Sequence, residues 1–141
     1  MNLYKYIAIV GFMFIGFLTL KAQETTFYAE KNRHLKKGLN LVDQELYAPA
    51  MKEFQWLKEE MQHSTDNHQY TYLMYADFYT ALCAARLNNP DAELLFTRFI
   101  EAYHHTSLRN QGYFELGNYY FNQNNTNDAV KWYEKVDTKQ L

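Results

Sequence analysis

The chain has 141 residues, of which 48% are apolar, 18% aromatic and 21% charged, with 5 Gly and 2 Pro. This composition excludes an intrinsically disordered chain, and so few Gly and Pro residues cannot supply the turns of a many-stranded β protein. The formal net charge of −2 argues against nucleic acid as a partner, because nucleic-acid binding needs a basic surface.

The N-terminal segment differs from the rest of the chain. A largely apolar, uncharged stretch at residues 6–20 lies between Lys5 and Lys21. It is short for a helix that crosses a hydrocarbon layer of about 30 Å, and it is typical of the apolar region of a secretory signal. We therefore predict a signal peptide at residues 1–22, cleaved after Ala22, and a periplasmic or otherwise exported chain. The alternative is an inner-membrane anchor formed by residues 6–20.

Small residues recur at a fixed spacing in the remainder of the chain. In three segments a small residue is followed by alanine twelve residues later and by an aromatic residue sixteen residues later: Gly38, Ala50 and Phe54; Thr80, Ala92 and Phe96; and Gly117, Ala129 and Tyr133. Glycine inside a helix costs about 1 kcal/mol relative to alanine, and aromatic residues such as Tyr120 bury about 150–250 Å² each. We predict that the small residues allow neighbouring helices to approach closely against buried aromatic rings.

Each segment is predicted to contain two helices joined by a tight turn. The first helices are expected to end near Val42, Leu87 and Gln123, where the turn-forming sequences DQELY, NNPD and NNTND follow. Asn89 is expected to cap the second helix of the middle segment, with Pro90 at its first position. Asn125 or Thr126 is expected to cap the second helix of the last segment.

This pattern resembles the tetratricopeptide repeat (TPR) family. The last segment carries six of the residues that the family pattern expects: Tyr113, Leu116, Gly117, Tyr120, Ala129 and Tyr133. The middle segment lacks the glycine, and the small positions are 42 and 37 residues apart, whereas the family repeat is about 34 residues long. The resemblance implies an all-α fold, a right-handed solenoid of about three helix pairs over residues 28–137. The units would span about 31–62, 73–104 and 110–137, and residues 138–141 would form a tail or the start of a further repeat.

The resemblance also implies a concave groove on the first helices that holds a peptide or an amphipathic helix of another protein. The groove-facing residues would be Asn32, Leu35, Leu39 and Val42; Met74, Asp77, Ala81 and Ala84; and Gln111, Phe114, Asn118 and Phe121. The basic residues with which some family members bind a C-terminal carboxylate are missing. The alternative is that Leu35, Leu39 and Phe121 are covered by the chain's own N-terminal segment or by a following repeat.

Residues that could support catalysis or metal binding form no recognised motif. His63, His68 and the pair His104–His105 lie in polar connectors without zinc-site spacing, and Glu59–Glu60 is expected to be a solvated pair. The single cysteine, Cys83, lies in an apolar run and is expected to be a buried, inert thiol.

We therefore expect no enzyme activity and no cofactor. The resemblance together with the predicted signal implies a scaffold that assembles protein partners in the bacterial cell envelope. The alternative is a self-associating structural module or a fragment of a longer repeat array. A membrane contact is expected only through an uncleaved signal segment.

Overall fold

The computed structural model describes residues 33–105 and 107–137. In this part of the chain every regular element is a helix. Residues 33–43 form α1, and the following elements are α2 (Tyr47–Gln62), α3 (Gln69–Arg86), α4 (Ala92–Ala102), α5 (Ser107–Asn122) and α6 (Thr126–Tyr133). The all-α prediction is confirmed for the described residues. The predicted signal peptide at residues 1–22, the groove residue Asn32 and the tail at 138–141 lie outside them.

Three tight turns join α1 to α2, α3 to α4 and α5 to α6, and they share one backbone geometry. Each has a non-glycine residue in the left-handed region: Glu45 (φ 60°), Asn88 (φ 53°) and Asn124 (φ 61°). In each turn this residue's N–H donates to the carbonyl three residues earlier, and the next N–H donates to the carbonyl five residues earlier, at 2.8–3.1 Å. This is the Schellman arrangement that ends helices and satisfies their last carbonyl groups. The described chain is therefore three helix–turn–helix units.

The shared turn corrects the predicted register of the middle unit. Gly38 and Gly117 each lie seven residues before the left-handed residue of their turn, and the residue seven before Asn88 is Ala81, not Thr80. Ala81 is fully buried, whereas Thr80 is half-buried and its hydroxyl donates to the Ala76 carbonyl at 2.6 Å. The buried alanine lies four residues after the left-handed residue in the middle unit (Asn88 to Ala92) but five residues after it in the other two units, so counting back twelve residues from Ala92 reaches Thr80.

In the first unit and in the last unit, the two helices of the pair approach each other closely at a glycine. A Cβ atom added to Gly38 would lie 2.6 Å from the Phe54 ring, and one added to Gly117 would lie 2.5 Å from the Tyr133 ring. Carbon atoms in ordinary contact are about 3.5–4.0 Å apart, so no side chain fits between glycine and ring without a shift. In all three units the alanine four residues before the aromatic residue is fully buried: Ala50, Ala92 and Ala129.

Two apolar clusters form the core of the described residues. One joins the α1–α2 unit to α3, with Phe54, Leu57 and Met61 on α2 and Tyr72, Ala76 and Cys83 on α3. The other joins α3 to α4 and α5, with Phe78 and Leu82 on α3, Phe96 and Phe99 on α4, and Leu116 and Tyr119 on α5. Because α3 contributes to both clusters from different sides, it is the element that connects the units.

Two of the three cap predictions concern the middle unit, and there the helix begins later than expected. Helix α4 starts at Ala92, so Pro90 lies in the preceding turn, where Asn89 accepts a hydrogen bond from the Asp91 N–H at 2.9 Å. In the last unit Asn125 caps α6 by accepting from the Asp128 N–H at 3.3 Å.

None of the helices in the described part of the chain has the length and hydropathy needed to cross a membrane.

Candidate functional site

The first helix of each unit carries a face that points towards the next unit along the chain. We call it the outgoing face. It consists of the residues three before, one after and four after the small position of each first helix, which is Gly38 on α1, Ala81 on α3 and Gly117 on α5. Its members are Leu35, Leu39 and Val42 on α1; Phe78, Leu82 and Ala85 on α3; and Phe114, Asn118 and Phe121 on α5. The spacing places all three residues of each set on one side of their helix.

On α3 the outgoing face is buried in the core. Phe78 is only 3% exposed, and its ring lies 5.4 Å from that of Phe99 and 6.3 Å from that of Phe96, both on α4. Leu82 and Ala85 belong to the same cluster as Leu116 and Tyr119 of α5. The second helix of the unit and the first helix of the next unit therefore cover this face together.

On α1 the outgoing face is also engaged. Leu35, Leu39 and Val42 are partly buried and pack against the cluster that α2 and α3 share. These three residues were predicted to line an open groove, and the structure places them instead at the contact between units. Their packing follows from the register, because they hold the same positions as the buried face of α3.

On α5 the outgoing face is open. Phe114 is 39% exposed and Phe121 is 60% exposed, with the half-buried Asn118 between them on the same side of the helix. The Phe114 ring contacts that of Tyr133 on α6 at 5.9 Å, as Phe78 contacts Phe96 in the middle unit. Among the described residues no further helix covers this face. We refer to Phe114, Asn118 and Phe121 as the α5 aromatic face.

A chain of polar contacts fixes the α5 aromatic face in place. Tyr133 Oη donates to Asn118 Oδ1 at 2.7 Å, and Asn118 Nδ2 donates to Glu115 Oε2 at 3.3 Å. The same Glu115 oxygen accepts from Arg86 on α3 at 2.8 Å. These contacts link α3, α5 and α6 around Asn118, the residue between the two phenylalanine rings.

The predicted groove residue Asp77 lies elsewhere. Its carboxylate pairs with Lys58 on α2 at 2.5 Å and accepts a hydrogen bond from Tyr103 Oη, just after α4, at 2.9 Å. Burial, and then the hydrogen bond to Asp77, raise the pKa of Tyr103. Asp77 therefore ties three helical elements together. It was assigned to the groove because the middle unit was read one residue out of register.

The other predicted groove residues of the middle unit are not available to a partner. Ala81 and Ala84 are fully buried, and Met74 is partly buried against the same cluster. On α5, Gln111 is exposed and lies one helical turn before Phe114, on the same side of the helix. Of the predicted groove, the structure leaves one open patch, on α5.

Ionisable residues outside this face mostly connect helices. Glu53 on α2 is buried, and it pairs with Lys37 at 2.5 Å and with His34 Nδ1 at 2.7 Å, both on α1. Burial opposes its ionisation, but the hydrogen bonds from Lys37 and His34 hold the pKa of Glu53 below its usual value. This cluster was not predicted from the sequence. The feature that could have indicated it is a carboxylate next to Phe54, on the apolar side of α2.

The residues considered for catalysis or metal binding are exposed on the described part of the chain. His63 and His68 are exposed at the ends of α2 and α3, and His104 and His105 are exposed after α4. Glu59 and Glu60 are exposed on α2. Within residues 33–105 and 107–137 no group of three or more His, Cys, Asp or Glu side chains could hold a metal ion.

The thiol of Cys83 is fully buried in the α1–α3 cluster. Burial raises its pKa to about 11, which keeps it protonated and unreactive at neutral pH.

An open cleft of about 360 Å³ lies between α2 and α3. Lys52, Lys58, Glu59 and Thr80 are among its lining residues. Lys58 is already paired with Asp77, and Glu59 accepts a hydrogen bond from Gln55 at 3.1 Å. The cleft is therefore lined mainly by long polar side chains, one of which, Lys58, is committed to an ion pair within the chain.

Comparisons with protein-family models, with curated proteins and with solved structures find no match to this chain. The α5 aromatic face is therefore identified from the geometry of the chain alone.

Proposed function

We propose that this chain is a non-catalytic, TPR-like scaffold that binds another protein through the α5 aromatic face. The observation that carries the proposal is the difference in solvent exposure between two residues at equivalent positions. Phe78 is 3% exposed and Phe114 is 39% exposed, although both occupy the same position in their units. Exposed apolar patches on folded proteins mark interaction sites, and the two rings of the α5 aromatic face form such a patch.

The TPR-like part of the proposal is supported by three features. The units share one turn geometry, the small residues Gly38 and Gly117 lie directly against Phe54 and Tyr133, and consecutive helices pack on one another. Repeated helix pairs that stack on their neighbours are the basis of α-solenoids. On this proposal the helix pairs continue in one right-handed direction.

The non-catalytic part of the proposal rests on what the polar side chains do. The carboxylates of Glu53, Asp77 and Glu115 each join their own helix to at least one other helix. The thiol of Cys83 is buried and protonated. A scaffold uses such groups for rigidity, whereas an active site needs them exposed to a substrate.

The site of action is proposed as the cell envelope, and this rests on the sequence of residues 1–22. Export would place the binding face in a compartment where the partner is another envelope protein. Growing cells that produce the full chain and sequencing the N-terminus of the recovered protein tests this part. A chain that begins at Gln23 supports export, and a chain that keeps residues 1–22 and remains in the cytosol contradicts it.

Binding through the α5 aromatic face is tested with two matched variants. Phe121→Gln removes an exposed ring without adding charge near a helix end, and Leu94→Gln removes an exposed apolar side chain on α4. Proteins cross-linked to the full chain in its native cells are recovered and identified. We expect one set of partners for the unchanged chain and for Leu94→Gln, and at least a tenfold loss for Phe121→Gln, because central aromatic residues dominate interface energies. Equal recovery with both variants contradicts the proposal.

A further inference from the structure

The first helix of each later unit also carries a face that points back towards the preceding unit. We call it the incoming face and define it as the residues nine before, five before and two after the small position. Its members are Tyr72, Ala76 and Cys83 on α3, and Leu108, Gly112 and Tyr119 on α5. The α3 set belongs to the cluster shared with α2, and the α5 residues Leu108 and Tyr119 pack in the cluster shared with α4.

The middle residue of the incoming face must be small because the helices approach closely there. Ala76 is fully buried. A Cβ atom added to Gly112 would lie 3.3 Å from Ile100 Cγ1 and 3.5 Å from Phe99 Cδ1, both on α4. A larger side chain at this position would push the helix away from the unit before it.

Two of the three corresponding positions on α1 carry polar residues, and the third, position 29, lies outside the described residues. Arg33 and Asn40 are both exposed, five before and two after Gly38. The described part of the incoming face on α1 is thus polar, whereas α5 presents a largely apolar outgoing face. A second copy of the chain that docked α1 on the α5 aromatic face would place a charged and an amide side chain against phenylalanine, which is unfavourable.

We infer that the occupant of the α5 aromatic face is an amphipathic helix of another protein that docks in the place of a next first helix. This inference rests on the proposed function and specifies its partner. Twice within the chain, an outgoing face receives a helix with one pattern: an apolar residue, then Ala or Gly four residues later, then an apolar residue or Cys seven residues after that. The partner helix carries the same pattern, because the α5 aromatic face continues the series of contacts that α3 and α5 make.

The chain's own α5 sequence supplies a probe with this pattern. A synthetic, fluorescently labelled peptide of residues 107–122 contains Leu108, Gly112 and Tyr119 in the required spacing. Its binding to the full-length protein is measured by fluorescence anisotropy. The peptide must fold as it binds, so a dissociation constant of roughly 10 µM to 1 mM is expected.

Two changes test the register of the complex, each with a matched control. In the peptide, Gly112→Leu is expected to weaken binding several-fold, because overpacking outweighs the helix preference that leucine adds, whereas Gln111→Leu, which adds leucine one position away, leaves it within about twofold. In the protein, Phe121→Gln is expected to weaken binding at least tenfold, and Leu94→Gln is not. Circular dichroism and urea denaturation of both protein variants verify that they remain folded.

Each other outcome overturns the inference, and two of them leave the proposed function standing. If the peptide does not bind, but cross-linked partners still depend on Phe121, the face binds protein in another mode. If Gly112→Leu and Gln111→Leu peptides bind equally, the docking is not in the register of a next unit. If sedimentation equilibrium shows a concentration-dependent dimer that Phe121→Gln abolishes, and the peptide does not bind, the occupant is a second copy. If neither peptide nor partners depend on Phe121, both proposals fail.

Discussion

The close contact between Gly38 and Phe54 predicts that Gly38→Ala destabilises the chain only while the Phe54 ring is present. In Gly38→Ala the new Cβ atom would lie 2.6 Å from Phe54 Cε1 and 2.7 Å from Cζ, about 1 Å short of ordinary contact. The ring cannot move freely, because it is fully buried and stacks on Tyr79 of α3 at 5.6 Å. Overpacking of this kind costs about 1–3 kcal/mol, and alanine returns about 1 kcal/mol of helix preference. The net expectation is a destabilisation of about 1 kcal/mol.

The control is the same substitution without the ring atoms. In a Phe54→Leu background the atoms nearest to the added methyl group, Cε1 and Cζ, are absent. Gly38→Ala should then stabilise the chain by about 1 kcal/mol, since only the helix preference remains. Both pairs of variants are compared by urea denaturation followed by circular dichroism, where a change of this size moves the midpoint by roughly 0.3–1 M. Equal stabilisation by Gly38→Ala in both backgrounds would refute the close contact between α1 and α2.

Three further predictions concern polar and sulfur groups. The pKa of Glu53 is lowered in the folded chain, so its contribution to stability is present above the ordinary carboxylate pKa and is lost as the pH falls through the folded value. Glu53→Gln should therefore reduce the free energy of unfolding more at pH 7 than at pH 3. An equal loss at both pH values would contradict the ion pairing. With its pKa raised to about 11, Cys83 should react with a thiol reagent at pH 8 only as fast as the chain opens, so rapid labelling of the native protein would show that it is not buried. The Asn110 side chain donates to the Asp137 carbonyl at 2.8 Å and accepts from its N–H at 2.7 Å, so Asn110→Ala should cost about 1–3 kcal/mol and speed proteolysis after α6; unchanged cleavage would argue against this double hydrogen bond.

The sequence was sufficient to predict helices and their ends because the relevant signals are local. The first helices end at residue 43, Arg86 and Asn122, each within one residue of the position expected from the turn sequences. The spacing of Gly38 and Gly117 from their aromatic partners is also local, because both partners lie in the same pair of helices. Such contacts depend on a single turn and follow from counting residues.

The register of the middle unit could not be predicted in the same way. The count was anchored on Ala92, which lies four residues after the left-handed residue of its turn, whereas the alanines of the other two units lie five residues after theirs. Both Thr80 and Ala81 are small enough to fit the pattern. The signal that separates them is Asn88, which tolerates the left-handed backbone better than Leu87, whereas Asn89 precedes Pro90 and is therefore biased towards an extended backbone.

The openness of the α5 aromatic face is not a property of its own helix. Phe78 and Phe114 have the same residue type and the same place in their units, yet one is buried and the other exposed. The difference arises because α4 and α5 cover the first, whereas the second contacts only α6 among the described helices. A pattern within one helix predicts which residues share a side, but it does not predict what lies opposite.

The most direct test of the central claim is photo-cross-linking from position 121. A benzoylphenylalanine residue replaces Phe121 in the full chain, and a second protein carries it in place of Leu94 as the control. After irradiation in the native cells, we predict a covalent adduct between position 121 and a helical segment of another protein, with the apolar–small–apolar spacing of the incoming face, and no such adduct from position 94. Adducts with the same partners from both positions, or none from position 121, would contradict the claim that the α5 aromatic face is the binding surface.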